Sequence, residues 1–372
     1  MRIAFLCKRR YMGKDVIGDR YARLYEIPFQ LARLGHEVRG FCFSYQGHDD
    51  GKWTHDAGPG SLSWQSRSGG RLYLPTLVAY PWHMLRQLRA FAPDIVIGAS
   101  DIPHVALGAW LARRLQRPFM ADLYDNFEGF GQARIPGMVG MLRDGVRNAQ
   151  LVTTTSEPLR ELVVEGYRAR GEVVAMPSTV DKSVFYVKDR PGCRRALGLP
   201  EHARLVGTAG GLHKDKGVDA LYAAWPEIAR RHPDAHLVLA GPFDATYPPL
   251  GGERVHYLGM LPHAQTAELF NALDLGVIYL RDTVFGRYCF PQKAYEMMAC
   301  GLPLVSAAVG VMPRLLADAP QSLYEPDNPA ELCAAVDAQL ANPAIAGTDI
   351  DDWATLVGRM ELRLRSVVTA QA

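Results

Sequence analysis

The chain has 372 residues, of which 48% are hydrophobic and 22% charged, and its formal net charge is +2. This is ordinary globular composition, and the chain is long enough for two domains with their own cores. A net charge so close to zero gives no electrostatic case for binding nucleic acid, and no apolar stretch reaches the roughly 18 residues of a transmembrane helix.

Cysteine and histidine usage argues against disulfides and metal sites. The six cysteines are scattered without a Cys-x-x-Cys pair, and the eleven histidines show no metal-ligand spacing. We expect buried thiols in a reducing compartment. The apolar run in "MRIAFLCKRR" is too short for a secretion signal. We therefore expect a cytoplasmic enzyme or binding protein without a metal site built from cysteine or histidine, and we predict no cofactor.

In the first half of the chain, short apolar runs alternate with longer amphipathic ones, which is typical of a parallel sheet covered by helices. The pattern predicts strands at 3–7, 38–43, 95–99, 118–123 and 151–155, and helices at 20–34, 82–91, 104–115 and 157–165. The segment 46–73 is rich in Gly, Ser and Asp, and it predicts a long loop.

The second half repeats this alternation. It predicts strands at 205–208, 236–240, 255–258, 275–279 and 304–308, and helices at 218–231, 265–273 and from 291 to just before 301. We expect an α/β protein with two doubly wound Rossmann-like domains, 1–175 and 195–350, that are joined by a linker, 176–194. A final helix within 351–372 has one apolar face and is expected to cross back to the first domain. Two such domains that face each other across a cleft would enclose a ligand at the carboxyl ends of their strands.

The stretch "FPQKAYEMMACGLPLVSA" predicts a short helix that carries two charged side chains. Pro291 suits the first helical position, and Gly301 suits the left-handed residue just past the helix end. Glu296 lies close to the helix N-terminus, where a phosphate would be attracted and a carboxylate would suit sugar hydroxyls. The alternative is a Lys293–Glu296 pair on a solvated helix face.

A second candidate follows the strand at 205–208, in "AGGLHKDKGVDALYAAW". Gly210 and Gly211 allow close approach of a ligand to the backbone, and Lys214 and Lys216 precede a helix, an arrangement that suits a diphosphate. The alternative is a glycine-rich turn with two exposed lysines. The chain lacks Gly-x-Gly-x-x-Gly, P-loop and Gly-x-Ser-x-Gly motifs, which weakens dehydrogenase, ATPase and hydrolase interpretations.

Several segments, in this order and spacing, resemble the C-terminal domain of retaining GT-B glycosyltransferases of the family-4, glycogen-phosphorylase-like kind. They are "GGLHKDKGVDALYAAW", "AHLVLAGP", "VHYLGMLPHAQTAELFNALDLGVIYL" and "FPQKAYEMMACGLPLVSA". In the first half, "RLGHEVRGF", "PDIVIGASD" and "LVTTTSEPLRELVVEGY" resemble that family's N-terminal domain. The resemblance implies the GT-B fold. It also implies metal-independent transfer of a sugar, with retention, from a nucleotide-diphosphate donor to an unidentified hydroxyl acceptor.

The resemblance also implies roles for individual residues. Glu296 matches a glutamate that binds the ribose, and Lys216 matches a lysine that neutralises the diphosphate. To these two catalytic candidates we add Asp101, which does not come from the resemblance but lies at the carboxyl end of a predicted strand. The predicted donor-binding residues are Gly18, Gly210, Gly211, Lys214, Lys216, Gly259, Met260, Leu261, Arg287, Tyr288, Phe290, Pro291, Gln292, Lys293 and Glu296. The predicted acceptor-side residues are Tyr124 and Asp125.

Three positions depart from the family pattern. Tyr288 stands where the first motif glutamate would fall, Gly211 where a phosphate-binding arginine would fall, and Tyr124 where a histidine near the sugar is usual. Our hypothesis is that Lys214, Arg287 or Lys293 replaces the arginine.

Other charged residues keep open alternatives. Asp101, Asp125 and Glu128 either face the acceptor or serve as helix caps and loop charges. A basic set either favours an anionic acceptor, touches a membrane surface, or is ordinary solvated charge; it comprises Lys8, Arg9, Arg10, Lys14 and Arg20. Trp82 and Leu85 are expected in the core, with Arg86 and Arg89 exposed.

Two other functions remain as alternatives to transfer. One is a nucleotide-sugar epimerase on the same fold, which needs carboxylates and histidines that converge on the sugar. The other is a non-catalytic nucleotide-sugar-binding protein, which the three departures would suit.

Overall fold

The computed structural model describes residues 1–47, 50–69, 73–347 and 349–371. The chain divides into two compact units. The first comprises Met1–Ser178 with Trp353–Ala372, and the second comprises Thr179–Asp352.

The first unit is built on an eight-stranded sheet with strand order β10-β9-β8-β7-β1-β4-β6-β5. Its strands are β1 (Arg2–Lys8), β4 (Glu37–Ser44), β5 (Gly51–His55), β6 (Ser61–Ser68), β7 (Ile95–Ala99), β8 (Phe119–Leu123), β9 (Leu151–Thr154) and β10 (Glu172–Ala175); β2 (Arg10–Tyr11) and β3 (Lys14–Asp15) form a small hairpin after β1. All neighbouring strands of the sheet are parallel except β5 and β6.

Helices connect these strands. They are α1 (Ala22–Arg33), α2 (Tyr73–Phe91), α3 (Ile102–Leu115), α4 (Met138–Arg147) and α5 (Glu157–Glu161), which continues as a π-helical turn, Leu162–Gly166. Helix α2 begins at Tyr73, nine residues before the predicted start, and includes Pro81.

The predicted loop at 46–73 was wrong for most of its described residues, while 48–49 and 70–72 lie outside them. β6 pairs with β4, and β5 returns antiparallel at the sheet edge. Burial alternates along β6, with Leu62 and Trp64 turned inward and polar residues between them. The many Gly, Ser and Asp residues obscured this period of two, which is the actual signature of a strand.

The second unit is a six-stranded, wholly parallel sheet with order β13-β12-β11-β14-β15-β16. Its strands are β11 (Arg204–Ala209), β12 (Ala235–Ala240), β13 (Val255–Tyr257), β14 (Leu275–Ile278), β15 (Leu304–Ala307) and β16 (Leu323–Tyr324). Its helices are α6 (Arg190–Ala196), α7 (Val218–Arg231), α8 (His263–Ala272), α9 (Val284–Tyr288), α10 (Gln292–Ala299), α11 (Met312–Leu315) and α12 (Pro329–Ala341). Helix α6 overlaps the end of the segment predicted as a linker, 176–194, and the side chain of Asp189 caps its N-terminus.

The last helix, α13 (Trp353–Thr369), belongs to the first unit and packs against α1. Its apolar face, with Val357, Met360 and Leu364, joins the core that α1 and β1 share. Glu361 on the same helix lies 2.7 Å from Nε2 of the buried His36. Among the described residues, no helix combines the length and the apolar content needed to cross a bilayer.

A fully buried ion pair holds α1 to the sheet of the first unit. Arg23 Nη2 lies 2.6 Å from Asp122 Oδ1, and both side chains are 0% exposed. Arg23 also donates to the Met176 carbonyl, and the Thr153 hydroxyl donates to Asp122 Oδ1 at 2.6 Å. Each charge is therefore paired and hydrogen-bonded, the condition under which burial of an ion pair is tolerated.

Removing one partner should strand the other charge in the core. We expect Arg23→Met to lower the free energy of unfolding by about 3–5 kcal/mol. Arg113→Met is the matched control, because Arg113 pairs with Asp144 at 2.8 Å on the surface, and its cost should be below about 1 kcal/mol. Urea unfolding followed by a probe in the first unit measures both. Equal small losses would show that the buried pair contributes no more than a surface pair.

Candidate functional site

The site in the second unit is built on three glycines at the carboxyl edge of its sheet. Gly210 follows β11, Gly241 follows β12 and Gly259 follows β13, all with positive φ of 119°, 122° and 70°. The Gly210 N–H donates to the Ala240 carbonyl at 3.0 Å, and the Gly241 N–H donates to the Gly259 carbonyl at 2.8 Å. A Cβ on Gly241 would lie 2.1 Å from the Gly210 carbonyl oxygen, so no other residue fits there without displacing the turn.

Two ammonium groups lie against the turn formed by Gly210 and Gly211. A Cβ placed on Gly210 would lie 3.1 Å from Lys293 Nζ, and one on Gly211 would lie 3.1 Å from Lys216 Nζ. The turn is held from below, because the hydroxyl of Tyr279, just after β14, donates to the Gly211 carbonyl at 2.9 Å. Neither lysine forms a side-chain hydrogen bond or ion pair with another described residue. Two cations therefore converge on one small volume with their donor capacity unused.

Helix α10 supplies Lys293 and, one turn later, Glu296. The Gln292 side chain at the helix start donates to Glu296 Oε1 at 3.2 Å. Lys293 Nζ lies 4.9 Å from the centre of the Tyr279 ring, so the side chain runs inward over the sheet edge. Lys293 and Glu296 are both partly buried, which excludes the alternative of a solvated pair on a helix face.

The electrostatics of the three charges are coupled. Burial, reinforced by the charge of Lys216, lowers the pKa of Lys293 to about 8, against the opposing pull of Glu296. Burial raises the pKa of Glu296 to about 7, although Lys293 and the Gln292 hydrogen bond both favour its ionised form. An anion that binds beside the two lysines would relieve their mutual repulsion, and it would restore the full charge of Lys293.

The structure separates the three proposed replacements for the missing arginine. Only Lys293 lies at the turn. Lys214 Nζ lies 5.7 Å from the centre of the Tyr247 ring, and Lys214 lines a cavity of about 600 Å³ with His213 and Asp244. Arg287 is exposed and pairs with Asp282 at 2.5 Å. Arg281 holds the lysine-bearing loop itself, because it donates to the Lys214 carbonyl at 2.9 Å and pairs with Asp219.

The remaining predicted donor residues of this unit lie around the same edge. Leu261 packs on the core, whereas Met260 is 70% exposed. Tyr288 ends α9 and is partly buried. Phe290 packs edge-on against Tyr295 with ring centres 4.7 Å apart. Pro291 is the N-cap of α10 and not its first helical residue as predicted, a difference of one position.

The first unit carries the other predicted residues at the carboxyl edge of its own sheet. Asp101, after β7, caps α3 by accepting from the His104 N–H at 3.0 Å, and it also contacts His104 Nδ1 at 2.6 Å and the Tyr45 hydroxyl at 3.1 Å. Burial alone would raise the pKa of Asp101, but His104 holds it below the ordinary value. Asp101 therefore serves as a helix cap, which is one of the two alternatives that the sequence left open. Asp101 also lines a cavity of about 640 Å³ with Lys8 and Arg10.

Lys8 and Tyr124 meet at this edge because β1, β7 and β8 are neighbours in the sheet. Lys8 Nζ donates to the Tyr124 hydroxyl at 2.7 Å, and burial lowers the pKa of Lys8 in spite of nearby Asp101. Asp125 is buried and accepts from the Asn126 N–H at 2.7 Å. Burial raises its pKa to about 6. The sequence contained no signal for the Lys8–Tyr124 contact, because it joins residues 116 positions apart.

Other sequence candidates in this unit are engaged elsewhere. Arg9 pairs with Asp15 at 3.0 Å, Arg10 donates to the Gln46 side chain at 3.1 Å, and Glu128 pairs with Arg143 at 2.7 Å. The Gly18 N–H donates to Asp15 Oδ1 at 3.1 Å. Arg9 and Arg10, two members of the basic set after β1, therefore have polar partners within the first unit. Among the residues that the structure describes, no cluster of His, Cys, Asp and Glu could hold a metal ion.

The architecture and the sequence both match glycosyltransferases. The fold is that of the GT-B class, two Rossmann-like α/β units. A family model described as "Glycosyl transferase 4-like domain" matches residues 22–179, and one described as "Glycosyl transferases group 1" matches residues 203–342.

Individual relatives and solved structures agree with these matches. D-inositol 3-phosphate glycosyltransferases from Corynebacterium aurimucosum and Stackebrandtia nassauensis are 31% and 30% identical over 188 and 227 residues, which are 45% and 56% of this chain. The matches span only 42% and 45% of those relatives' own length. Sucrose-phosphate synthase from Thermosynechococcus elongatus has a TM-score of 0.75 at 19% identity, with 99% of each chain covered. Anabaena HepE in complex with UDP-glucose has a TM-score of 0.67 at 19% identity, with 98% of this chain and 100% of HepE covered.

The coupled charges predict a bell-shaped pH dependence for binding of a nucleoside diphosphate. Lys293 loses its charge as pH rises through about 8, and Glu296 loses its charge as pH falls through about 7, so affinity should be greatest between these values. Each limb should approach about a tenfold loss per pH unit. Calorimetric titration at several pH values measures the profile.

Single substitutions separate the two limbs. Lys293→Arg stays charged and should lose the alkaline limb, while Glu296→Gln should lose the acid limb. Lys214→Arg, at the cavity lined by His213 and Asp244, is the control and should keep both limbs of the pH profile. An alkaline limb that persists in Lys293→Arg would assign that limb to another group.

Proposed function

We propose that the protein is a retaining GT-B glycosyltransferase of the family-4 kind, which moves a sugar from a nucleotide-diphosphate donor to a hydroxyl acceptor without a metal or a cofactor. The observation that carries this proposal is the pair of ammonium groups, Lys216 and Lys293, at the Gly210–Gly211 turn. Two adjacent phosphoryl groups are the anion that best matches two converging cations beside glycine backbone. The matches to glycosyltransferase family models support the same class.

The chemistry requires charge stabilisation at the departing diphosphate. The bond between the anomeric carbon and the β-phosphate oxygen breaks, a bond from the acceptor oxygen to that carbon forms on the same face, and the acceptor proton passes to the departing phosphate. Lys216 and Lys293 stabilise the charge that develops on the leaving group. Glu296, in its ionised form, accepts hydrogen bonds from the ribose hydroxyls.

The donor base is proposed to lie along the Gly259–Leu261 segment, which the Gly241–Gly259 hydrogen bond connects to the phosphate turn. The solved neighbours HepE and the Escherichia coli trehalose-6-phosphate protein were crystallised with UDP-glucose and UDP-2-fluoro glucose. These ligands make UDP-sugars the first donors to test. We assign the acceptor to the first unit, at the cavity lined by Lys8, Tyr45 and Asp101.

Epimerisation is less well supported than transfer. It needs free acid and base groups near the sugar, whereas Asp101 is fully engaged as a helix cap and Asp125 accepts from the backbone. A nucleotide sugar incubated alone distinguishes the two, because an epimerase needs no acceptor. Binding without turnover over a broad panel of hydroxyl acceptors would favour a non-catalytic binding protein.

Alanine substitutions test the donor site directly. Lys216→Ala and Lys293→Ala should each weaken nucleotide-sugar binding by about 10- to 100-fold, since a hydrogen bond to a charged group contributes about 1.5–3 kcal/mol. Lys214→Ala and Arg287→Ala remove the same charge from neighbouring positions and should change affinity by less than about twofold. A thermal-shift screen of nucleotide diphosphates and their sugars identifies the ligand, and calorimetry then measures each variant.

The controls decide the outcome. If Lys214→Ala or Arg287→Ala lost affinity while Lys216→Ala and Lys293→Ala kept it, the donor phosphates would lie elsewhere. If all four variants bound as the unmodified protein does, the cationic turn would not be the donor site.

A further inference from the structure

The outer face of α2 exposes apolar side chains that the core does not use. Val78 is 67% and Trp82 63% exposed. Pro75, Val78, Ala79 and Trp82 line a shallow apolar depression of about 640 Å³. The expectation that Trp82 lies in the core was wrong, whereas Leu85, one helical turn further on, is buried as expected. Contiguous exposed apolar surface of this kind marks an interaction site.

Helix α3 extends this surface. The ring of Trp82 lies 6.2 Å from that of Trp110, edge to face, and the guanidinium of Arg114 lies 5.4 Å from the Trp110 ring centre. We call the set Val78, Trp82, Arg86, Arg89, Trp110 and Arg114 the α2–α3 patch.

The charge of the patch is positive and uncompensated. Arg86 and Arg89 follow Trp82 by four and seven residues, so they continue the same helical face, and both are exposed. Helices α2 and α3 contain no Asp or Glu. Arg113 pairs with Asp144, whereas Arg86, Arg89 and Arg114 form no ion pair with any described residue. The pKa of the neighbouring His83 is lowered, first by burial and then by the positive charges of Arg67 and Arg86.

We infer that the α2–α3 patch docks the first unit onto an anionic lipid surface, a property that is independent of the proposed transfer reaction. Trp82 and Val78 enter the boundary between headgroups and acyl chains, which amphipathic side chains such as the indole ring prefer. Arg86, Arg89 and Arg114 lie at the rim and meet lipid phosphates.

The combination of apolar centre and basic rim selects the lipid surface over a second copy of this chain. A two-fold contact between copies would bring each patch against itself, and unpaired arginines would face arginines. A lipid surface supplies both an apolar layer and a dense array of negative charge, so it complements both features at once.

Vesicle sedimentation tests this inference with the full chain. Vesicles of phosphatidylcholine with phosphatidylglycerol should bind the protein, vesicles of phosphatidylcholine alone should bind it far less, and added salt should release it. Arg86→Gln with Arg89→Gln should weaken binding about 30-fold, from about 1 kcal/mol per arginine. Val78→Ser with Trp82→Ser should weaken it by at least about tenfold through lost apolar burial.

Matched controls change the same residue types elsewhere on the surface of the first unit. Arg33→Gln with Arg168→Gln removes two exposed arginine charges, and Leu362→Ser removes a leucine that is 64% exposed. Both should bind as the unmodified protein does, and all variants should keep its melting temperature. Equal binding to neutral and anionic vesicles, or to neither, would overturn the inference. So would a dimer, seen by sedimentation velocity, that Val78→Ser with Trp82→Ser abolishes, because it would assign the patch to a second copy.

Discussion

The candidate site of the second unit depends on the electrostatic repulsion between two lysine ammonium groups, which the protein only partly offsets. Lys216 and Lys293 present their ammonium groups to one glycine turn, and the carboxylate of Glu296 opposes the lowering of the pKa of Lys293. Burial already draws the pKa of Lys293 down to about 8. This repulsion destabilises the free protein, and an anion bound at the turn would relieve it. The affinity for the proposed anion would therefore come from charges held apart from their counterions.

The backbone makes this convergence possible. The carboxyl ends of parallel strands lie at one edge of the sheet. In the second unit, a glycine with positive φ follows each of the three neighbouring strands β11, β12 and β13. Gly241 has no room for a side chain because the Gly210 carbonyl occupies the space, so the absence of a Cβ at one strand end fixes the turn at the next. Tyr279 then holds the turn from β14. The lysines need only reach across, one from the loop before α7 and one from α10.

Sequence reasoning recovered the alternation of strands and helices, because buried parallel strands are short apolar runs and helices have their own period. It failed at 46–73, where the two-residue period of β6 was hidden by composition. For the candidate site, local motifs predicted Gly210, Gly211, Lys214, Lys216 and Glu296, and Lys293 was offered as one of three replacements for the missing arginine. The choice among them needed tertiary placement, because the sequence alone does not show which of the three side chains reaches the Gly210–Gly211 turn. The Lys8–Tyr124 contact and the Arg23–Asp122 pair join residues 116 and 99 positions apart and left no trace in the sequence.

The carboxyl edges of the two sheets handle charge in opposite ways, and this difference bears on the proposed placement of the anion. In the first unit, Arg9, Arg23 and Asp101 each have a charged or ionisable partner, and Lys8 donates a hydrogen bond to the Tyr124 hydroxyl. An edge whose charges are already satisfied gains little from a phosphate but still offers oriented hydroxyl and carboxylate groups to a hydroxylated ligand. In the second unit, the lysines at the turn are unpaired. This difference in side-chain pairing supports the proposed placement of the diphosphate on the second unit and of the hydroxyl acceptor on the first.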